Sequence, residues 1–134
     1  MPPYIPLRNH SPYSIAEGAL FPAETAKRLA GLGIPAAGIC DTNSISGAYS
    51  VAAAFEKAGL QPLQGTLLDV RHPGTDGEEV SRLVLFARSE TGYGQICRLL
   101  SRAQTTGRPT PLADLLTEGV VDDCLVLTGG REGP

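Results

Sequence analysis

The chain has 134 residues, a formal net charge of −3 and a hydrophobic content of 42%. This length suits one domain, which we place at residues 1–134, and the acidic balance argues against a free-standing nucleic-acid-binding protein. Because no long apolar run and no secretion signal is present, we expect a cytoplasmic protein with no membrane contact. The acidic charge also leads us to expect weak or no direct DNA binding.

Strand and helix patterns alternate along the chain. A proline early and a glycine late bracket the first predicted helix, and short apolar runs between turn residues indicate the strands. In chain order we predict a strand at 5–10, a helix at 21–32, a strand at 36–40, a helix at 46–58, strands at 62–70 and 82–88, a helix at 89–103, a loop at 105–110, a helix at 111–117 and a strand at 124–128. The polar connection at 72–79 favours an antiparallel hairpin, and the whole order favours a largely parallel α/β sheet or part of a barrel.

Three polar residues lie at or near the ends of the first two predicted strands. His10 ends the first, Glu17 follows in the next loop, and Asp41 comes directly after the second. Strand ends are where α/β folds gather ligands and catalytic groups. Each residue also has a structural interpretation: a hydrogen-bonded histidine, a turn residue, and a carboxylate that caps the helix near Ser46.

The remaining reactive side chains give weaker indications. The cysteines form no CxxC pair, so we expect reduced thiols in a cytoplasmic protein. A loose group of arginines is interpreted as a solvated helix face. The cysteines are Cys40, Cys97 and Cys124, and the arginines are Arg98, Arg102 and Arg108.

Ordered sequence blocks identify a family resemblance over nearly the whole chain. They include Leu-Arg-Asn-His-Ser-Pro-Tyr-Ser at 7–14, Cys-Asp-Thr at 40–42 and Leu-Val-Leu-Phe-Ala-Arg at 83–88. Further blocks lie at 17–19, 33–36, 47–48, 58–62, 65, 91–93, 97–103 and 125–130. Together they resemble the start of bacterial DNA polymerase III alpha subunits. This resemblance implies a PHP (polymerase and histidinol phosphatase) domain: a distorted α/β barrel with mostly parallel strands, helices outside, and its N-terminal half in this chain.

The resemblance also implies where a metal cluster would lie and how it has degenerated. Donor-type residues remain at His10 and Glu17, with Asp41 at most behind them. Ligands are replaced at Arg8, Thr42, Leu67, Arg82 and Gly130. We therefore expect no catalytic residue and no bound metal; a residual site would hold divalent zinc, manganese or magnesium. Arg8 either pairs with Glu17 or Asp41 in place of the metal or points to solvent.

The function implied is that of a PHP module in a replicative DNA polymerase. The parent family is a DNA-directed DNA polymerase, a nucleotidyltransferase, but this chain lacks its catalytic carboxylates, so whether the chain is an enzyme stays open. We expect it to support the rest of the alpha subunit and to dock a proofreading exonuclease subunit. The alternatives are a metal-dependent phosphoesterase or 3′-5′ exonuclease acting through His10, Glu17 and Asp41, and a free-standing interaction protein. A partial barrel also favours self-association.

Overall fold

Helices and strands alternate in the computed structural model, which describes residues 3–73, 79–128 and 130–132. The helices are α1 (Pro22–Gly31), α2 (Ala48–Lys57), α3 (Glu90–Thr106), α4 (Leu112–Thr117) and α5 (Val120–Asp123), and a 3₁₀ turn follows at Gly130–Glu132. The strands are β1 (Ala36–Thr42), β2 (Gln61–Arg71), β3 (Val80–Ala87), β4 (Thr110–Pro111) and β5 (Cys124–Leu127). This order confirms the predicted α/β class.

The strands form one mixed sheet in the order β1-β2-β3-β5, with β4 beside β2. β1 and β4 each run parallel to β2, whereas β3 runs antiparallel to both β2 and β5. The predicted hairpin of β2 and β3 is confirmed and places Asp69 directly opposite Arg82. Of its predicted polar connection at 72–79, residues 74–78 lie outside the described part of the chain.

The two faces of the sheet have different neighbours. The side chains of Leu68 and Leu85 pack under α3, α4 and α5, and Ile39 packs under α1 and α2. Side chains alternate between the two faces along each strand, so the sequence neighbours of Leu68, Leu85 and Ile39 point to the opposite face. That opposite face carries a separate apolar cluster of Cys40, Leu67, Val84 and Phe86. The helices therefore cover one face. The candidate site lies at the end of the other face, the open face, which carries Cys40, Leu67, Val84 and Phe86.

The first predicted strand, 5–10, is wrong as a continuous strand, although the segment does lie beside β1. Asn9 forms an isolated parallel bridge with Ile39, and the carbonyl of Pro6 accepts a hydrogen bond from the Gly38 N–H at 2.8 Å. The Asn9 side chain donates to the Gly38 carbonyl at 2.9 Å. Pro6 has no N–H to donate, and the Asn9 side-chain amide occupies the Gly38 carbonyl. The regular hydrogen-bond ladder between this segment and β1 is therefore interrupted.

Two smaller differences concern the second half of the chain. The predicted loop at 105–110 includes the end of α3, where the Thr105 and Thr106 hydroxyls donate to carbonyls four residues back, and Gly107 ends the helix at φ 64°. The same loop also contains Thr110 of β4, and α5 was not predicted.

In the described residues, no helix combines the length and the apolar character that crossing a bilayer requires.

Candidate functional site

The Asp41 carboxylate fixes the loop that follows His10. Asp41 is 3% exposed, and its Oδ1 accepts hydrogen bonds from the Ser11 N–H and the Ser14 hydroxyl, both at 2.7 Å. Its Oδ2 accepts from the Ser11 hydroxyl at 2.6 Å. α2 begins after Gly47 with no side-chain cap. Asp41 therefore does not cap α2; its carboxylate holds the loop against the end of β1.

That loop brings Glu17 to the end of β1. The Thr42 hydroxyl donates a short hydrogen bond to Glu17 Oε2, and the Thr42 N–H donates to Ser14 Oγ at 3.0 Å. His10 Nδ1 lies 3.8 Å from Glu17 Oε2 and 3.4 Å from Ser14 Oγ. The structure thus gathers His10, Glu17 and Thr42, which the sequence assigned to one site.

A second group joins from β2 and β3. Arg82 Nε donates to Asp69 Oδ1 at 3.0 Å, and Arg82 Nη1 lies 3.8 Å from Glu17 Oε1. Asn43 Nδ2 donates to Asp69 Oδ2 at 2.7 Å, while Asn43 Oδ1 accepts from the Asp69 N–H at 2.9 Å. One guanidinium therefore bridges two carboxylates at the strand ends.

Asp69 and Asn43 are members of the site that sequence reasoning missed. Asp69 falls inside a predicted strand, and only the register with Arg82 shows that its carboxylate faces the site. Asn43 adopts a left-handed backbone with φ 49°, which asparagine tolerates better than most residues. The Asn after Asp-Thr was the only available indication of such a turn.

The side chains at the site do not fit a metal cluster. Leu67 has no exposed surface and belongs to the apolar layer beneath the polar groups. Arg82 brings a fixed positive charge between Asp69 and Glu17, which would repel a cation. Across the described ranges, no three His, Cys, Asp or Glu side chains come together as metal ligands would. The arrangement instead ties together the ends of β1, β2 and β3 through charge-assisted hydrogen bonds.

Arg8 and Gly130 are the remaining positions at which the resemblance implies a replaced ligand. Arg8 is exposed and close enough to Cys40 for its charge to lower the pKa of that thiol, although burial dominates and raises it to about 11. Gly130 begins the 3₁₀ turn at φ 75°. Arg82 contacts Glu17, and the pairing of Arg8 with Glu17 or Asp41 stays a prediction.

Comparisons with known proteins agree with this fold and with the sequence blocks. A family model described as PHP domain matches residues 6–134. DNA polymerase III subunit alpha of Escherichia coli (strain K12) is 32% identical over 98% of this chain and 12% of the relative. Error-prone DNA polymerase of Anaeromyxobacter sp. (strain K) is 37% identical over 81% of the chain and 10% of the relative. The chain thus spans about a tenth of the length of these curated relatives.

Two solved structures share the fold at low sequence identity. A crystal structure assigned as a metal-dependent phosphoesterase from Bifidobacterium adolescentis has a TM-score of 0.60 and 18% identity, covering 75% of this chain and 33% of that chain. An amidohydrolase from Chromobacterium violaceum, with bound sulfate and no metal, has a TM-score of 0.59 and 24% identity over the same shares. The predicted barrel-like α/β fold is confirmed.

Proposed function

The chain belongs to the PHP domain family, and we propose that it serves as a non-catalytic PHP module of a cytoplasmic DNA polymerase III alpha subunit, in DNA replication. Its relatives by sequence are replicative alpha subunits and error-prone polymerases, which supports the rest of an alpha subunit as its setting. The module acts by supporting that polymerase. A proofreading exonuclease subunit is the proposed docking partner, on the family resemblance alone.

The observation that carries the non-catalytic role is an internal ion pair at a position where the family resemblance implies a metal ligand. Arg82 supplies positive charge to Glu17 and Asp69 from within the chain. Metal-assisted phosphoryl chemistry needs an exchangeable cation that activates water and stabilises charge at phosphorus. A guanidinium is always protonated and cannot generate a hydroxide, so it preserves the local architecture without that chemistry.

The alternative is a metal-dependent phosphoesterase or 3′-5′ exonuclease acting through His10, Glu17 and Asp41. Its three residues do not converge, because the Asp41 carboxylate is buried under Ser11 and Ser14. His10 and Glu17 alone supply two donors, fewer than catalytic metal sites use. The likeness to a phosphoesterase supports the fold and carries no residue-level argument for activity.

Metal content tests the proposal directly. The purified 134-residue chain, equilibrated with zinc or manganese and then dialysed, is expected to retain well below one ion per chain by mass spectrometry. The triple variant Thr42→His, Leu67→Glu and Arg82→His restores donors at three replaced positions and is expected to gain bound metal. Two or more ions on the unaltered chain, together with metal-dependent phosphodiesterase activity, would overturn the non-catalytic role.

A matched control separates a rebuilt site from binding by added surface donors. The variant Thr105→His, Leu116→Glu and Arg28→His makes the same three exchanges at exposed positions on α3, α4 and α1. It is expected to gain no tightly held metal. If both triple variants bind metal equally, Thr42, Leu67 and Arg82 are not what prevents binding.

Docking needs its own measurement in the intact polymerase. Deleting the PHP module from an alpha subunit that contains this chain is expected to abolish co-purification of the proofreading subunit. Polymerase activity on primed DNA reports whether the shortened subunit is folded. Retained co-purification with an active subunit would remove docking from the proposal.

A further inference from the structure

A basic cavity lies on the other side of β2 from β3. It shares Arg108 with a neighbouring cavity that Asn43 and Asp69 of the candidate site line. It has a volume of about 220 Å³ and is enclosed by the end of β2, the last turns of α3, and β4. Its polar lining comes from Arg71, Arg102, Thr106, Arg108, Thr110 and Asp114. Three guanidinium groups around one cavity are notable in a chain whose net charge is −3.

The positive charge of the three arginines is not neutralised by Asp114, the single carboxylate that lines the cavity. Arg102 donates to Glu118 and lies 3.8 Å from Asp114, so these two acids satisfy its charge. Among the ion pairs of the described residues, none involves Arg71 or Arg108. The cavity therefore keeps the positive charge of two exposed guanidinium groups.

Thr110 gives a second, independent indication of a ligand. The residue is 4% exposed and lines the cavity. In the part of the chain that the structure describes, its hydroxyl oxygen is the only buried side-chain oxygen or nitrogen with no hydrogen-bond partner. Buried hydroxyls nearly always have a partner, so an unpartnered one beside two arginines requires an explanation.

Local backbone structure fixes the geometry of the cavity. Arg71 is the last residue of β2 and is held in register opposite Pro111 of β4. Arg108 follows the left-handed Gly107 that ends α3, and the proline after it restricts Arg108 to extended conformations. The backbone positions of the two arginines are thus set by a strand end and a turn, and a ligand would order the two side chains on binding.

We propose that this cavity binds a single phosphate group, carried by inorganic phosphate or a small phosphate ester. Arginine forks match the oxygens of a phosphate, and rotation of the Thr110 side chain about its Cα–Cβ bond would let its buried hydroxyl donate to a third oxygen. The small volume and the overall negative charge favour a compact anion over a nucleic-acid backbone. A solvated arginine face, as the sequence indicated for Arg102 and Arg108, explains neither Arg71 nor Thr110.

Titration of the 134-residue chain with inorganic phosphate at constant ionic strength tests this inference. Saturable binding is expected by calorimetry, with Arg71→Met and Arg108→Met each weakening it about tenfold, because a charge-assisted fork is lost. Thr110→Val keeps the shape of the side chain and is expected to weaken binding severalfold. Asp114→Asn removes the repulsion of a carboxylate that lines the cavity, so it is expected to tighten binding.

Arg28→Met on α1 removes the same charge at an exposed position outside the cavity. It is expected to leave phosphate affinity unchanged, and circular dichroism confirms that each variant is folded. Absence of saturation, or equal weakening by Arg28→Met, would overturn the site. Displacement of phosphate by a single-stranded oligonucleotide at far lower concentration would overturn the small-anion assignment and favour a nucleic-acid backbone.

Discussion

Burial distinguishes the thiols of the chain. It raises the pKa of Cys40 to about 11, with smaller effects from Arg8, which lowers it, and Asp41, which raises it. Burial also raises the pKa of Cys124, whereas Cys97 is only partly buried. Thiolates are the reactive form, so a raised pKa and lack of access both suppress reaction at Cys40.

The Cys40 pKa predicts a pH dependence of stability. The unfolded thiol loses its proton near pH 9, while the folded thiol keeps it to about pH 11. Between these values the folded state binds more protons, so the free energy of unfolding falls as pH rises. Below pH 9 this contribution is fully present. Urea midpoints measured across the window are expected to fall less steeply for Cys40→Ala than for Cys97→Ala, and parallel profiles would contradict the assignment.

The residues of the candidate site show what a sequence can and cannot predict. The family resemblance of the sequence placed His10, Glu17, Thr42 and Arg82 at one site. The structure brings all four into one network of hydrogen bonds and ion pairs. Asp69 was missed because its partner depends on strand register, which alternation of apolar residues does not fix for a residue at a strand end. Side-chain pairing across strands is a tertiary property that only the assembled sheet reveals.

At the scale of elements, two glycines determine how closely β1 approaches the 5–10 segment and how closely β2 approaches β3. A Cβ on Gly38 would lie 2.4 Å from the Leu7 carbonyl oxygen and 2.7 Å from Phe86 Cζ. A Cβ on Gly65 would lie 2.3 Å from the Leu85 carbonyl oxygen. The ring of Phe86 fills the space that both glycines leave, so these glycines are packing residues of the open face.

We predict that Gly38→Ala destabilises the fold by about 2 kcal/mol, since overpacking that moves backbone costs about 1–3 kcal/mol. Chemical denaturation with unchanged m-value measures the loss. Gly31→Ala is the matched control, because a Cβ there meets nothing within 4 Å at the end of α1. The control is expected to be neutral or stabilising by up to about 1 kcal/mol. Equal midpoints for the two variants would contradict the close approach of Leu7 and Phe86.

The elements differ in how well periodicity predicts them. α1, α2 and α3 have apolar faces and recognisable ends, so their existence and approximate bounds follow from the sequence. β4 has two residues and α5 has four, which is too short for any period to show. β4 pairs with β2 at Val70 and Arg71, shortly after the left-handed Gly107 that ends α3.

At the scale of the whole molecule, the helices cover one face of the sheet and leave apolar side chains on the other. Leu125 of β5 is 46% exposed and lies opposite Phe86 in register, so it shares the open face. β5 ends the strand order, and no described strand pairs with its other edge. An unpaired edge beside an exposed leucine favours pairing with another chain.

We therefore predict that the isolated 134-residue chain self-associates through the open face. Burying one leucine side chain gains about 1.5–3 kcal/mol. A net charge of −3 opposes the association of two copies only weakly. Sedimentation equilibrium is expected to show a concentration-dependent mass above the monomer. Leu125→Lys introduces charge at this edge and is expected to shift the equilibrium to monomer. Leu116→Lys makes the same exchange at a 68% exposed position on α4 and is expected to leave association unchanged. If the two variants behave alike, the contact between copies lies elsewhere.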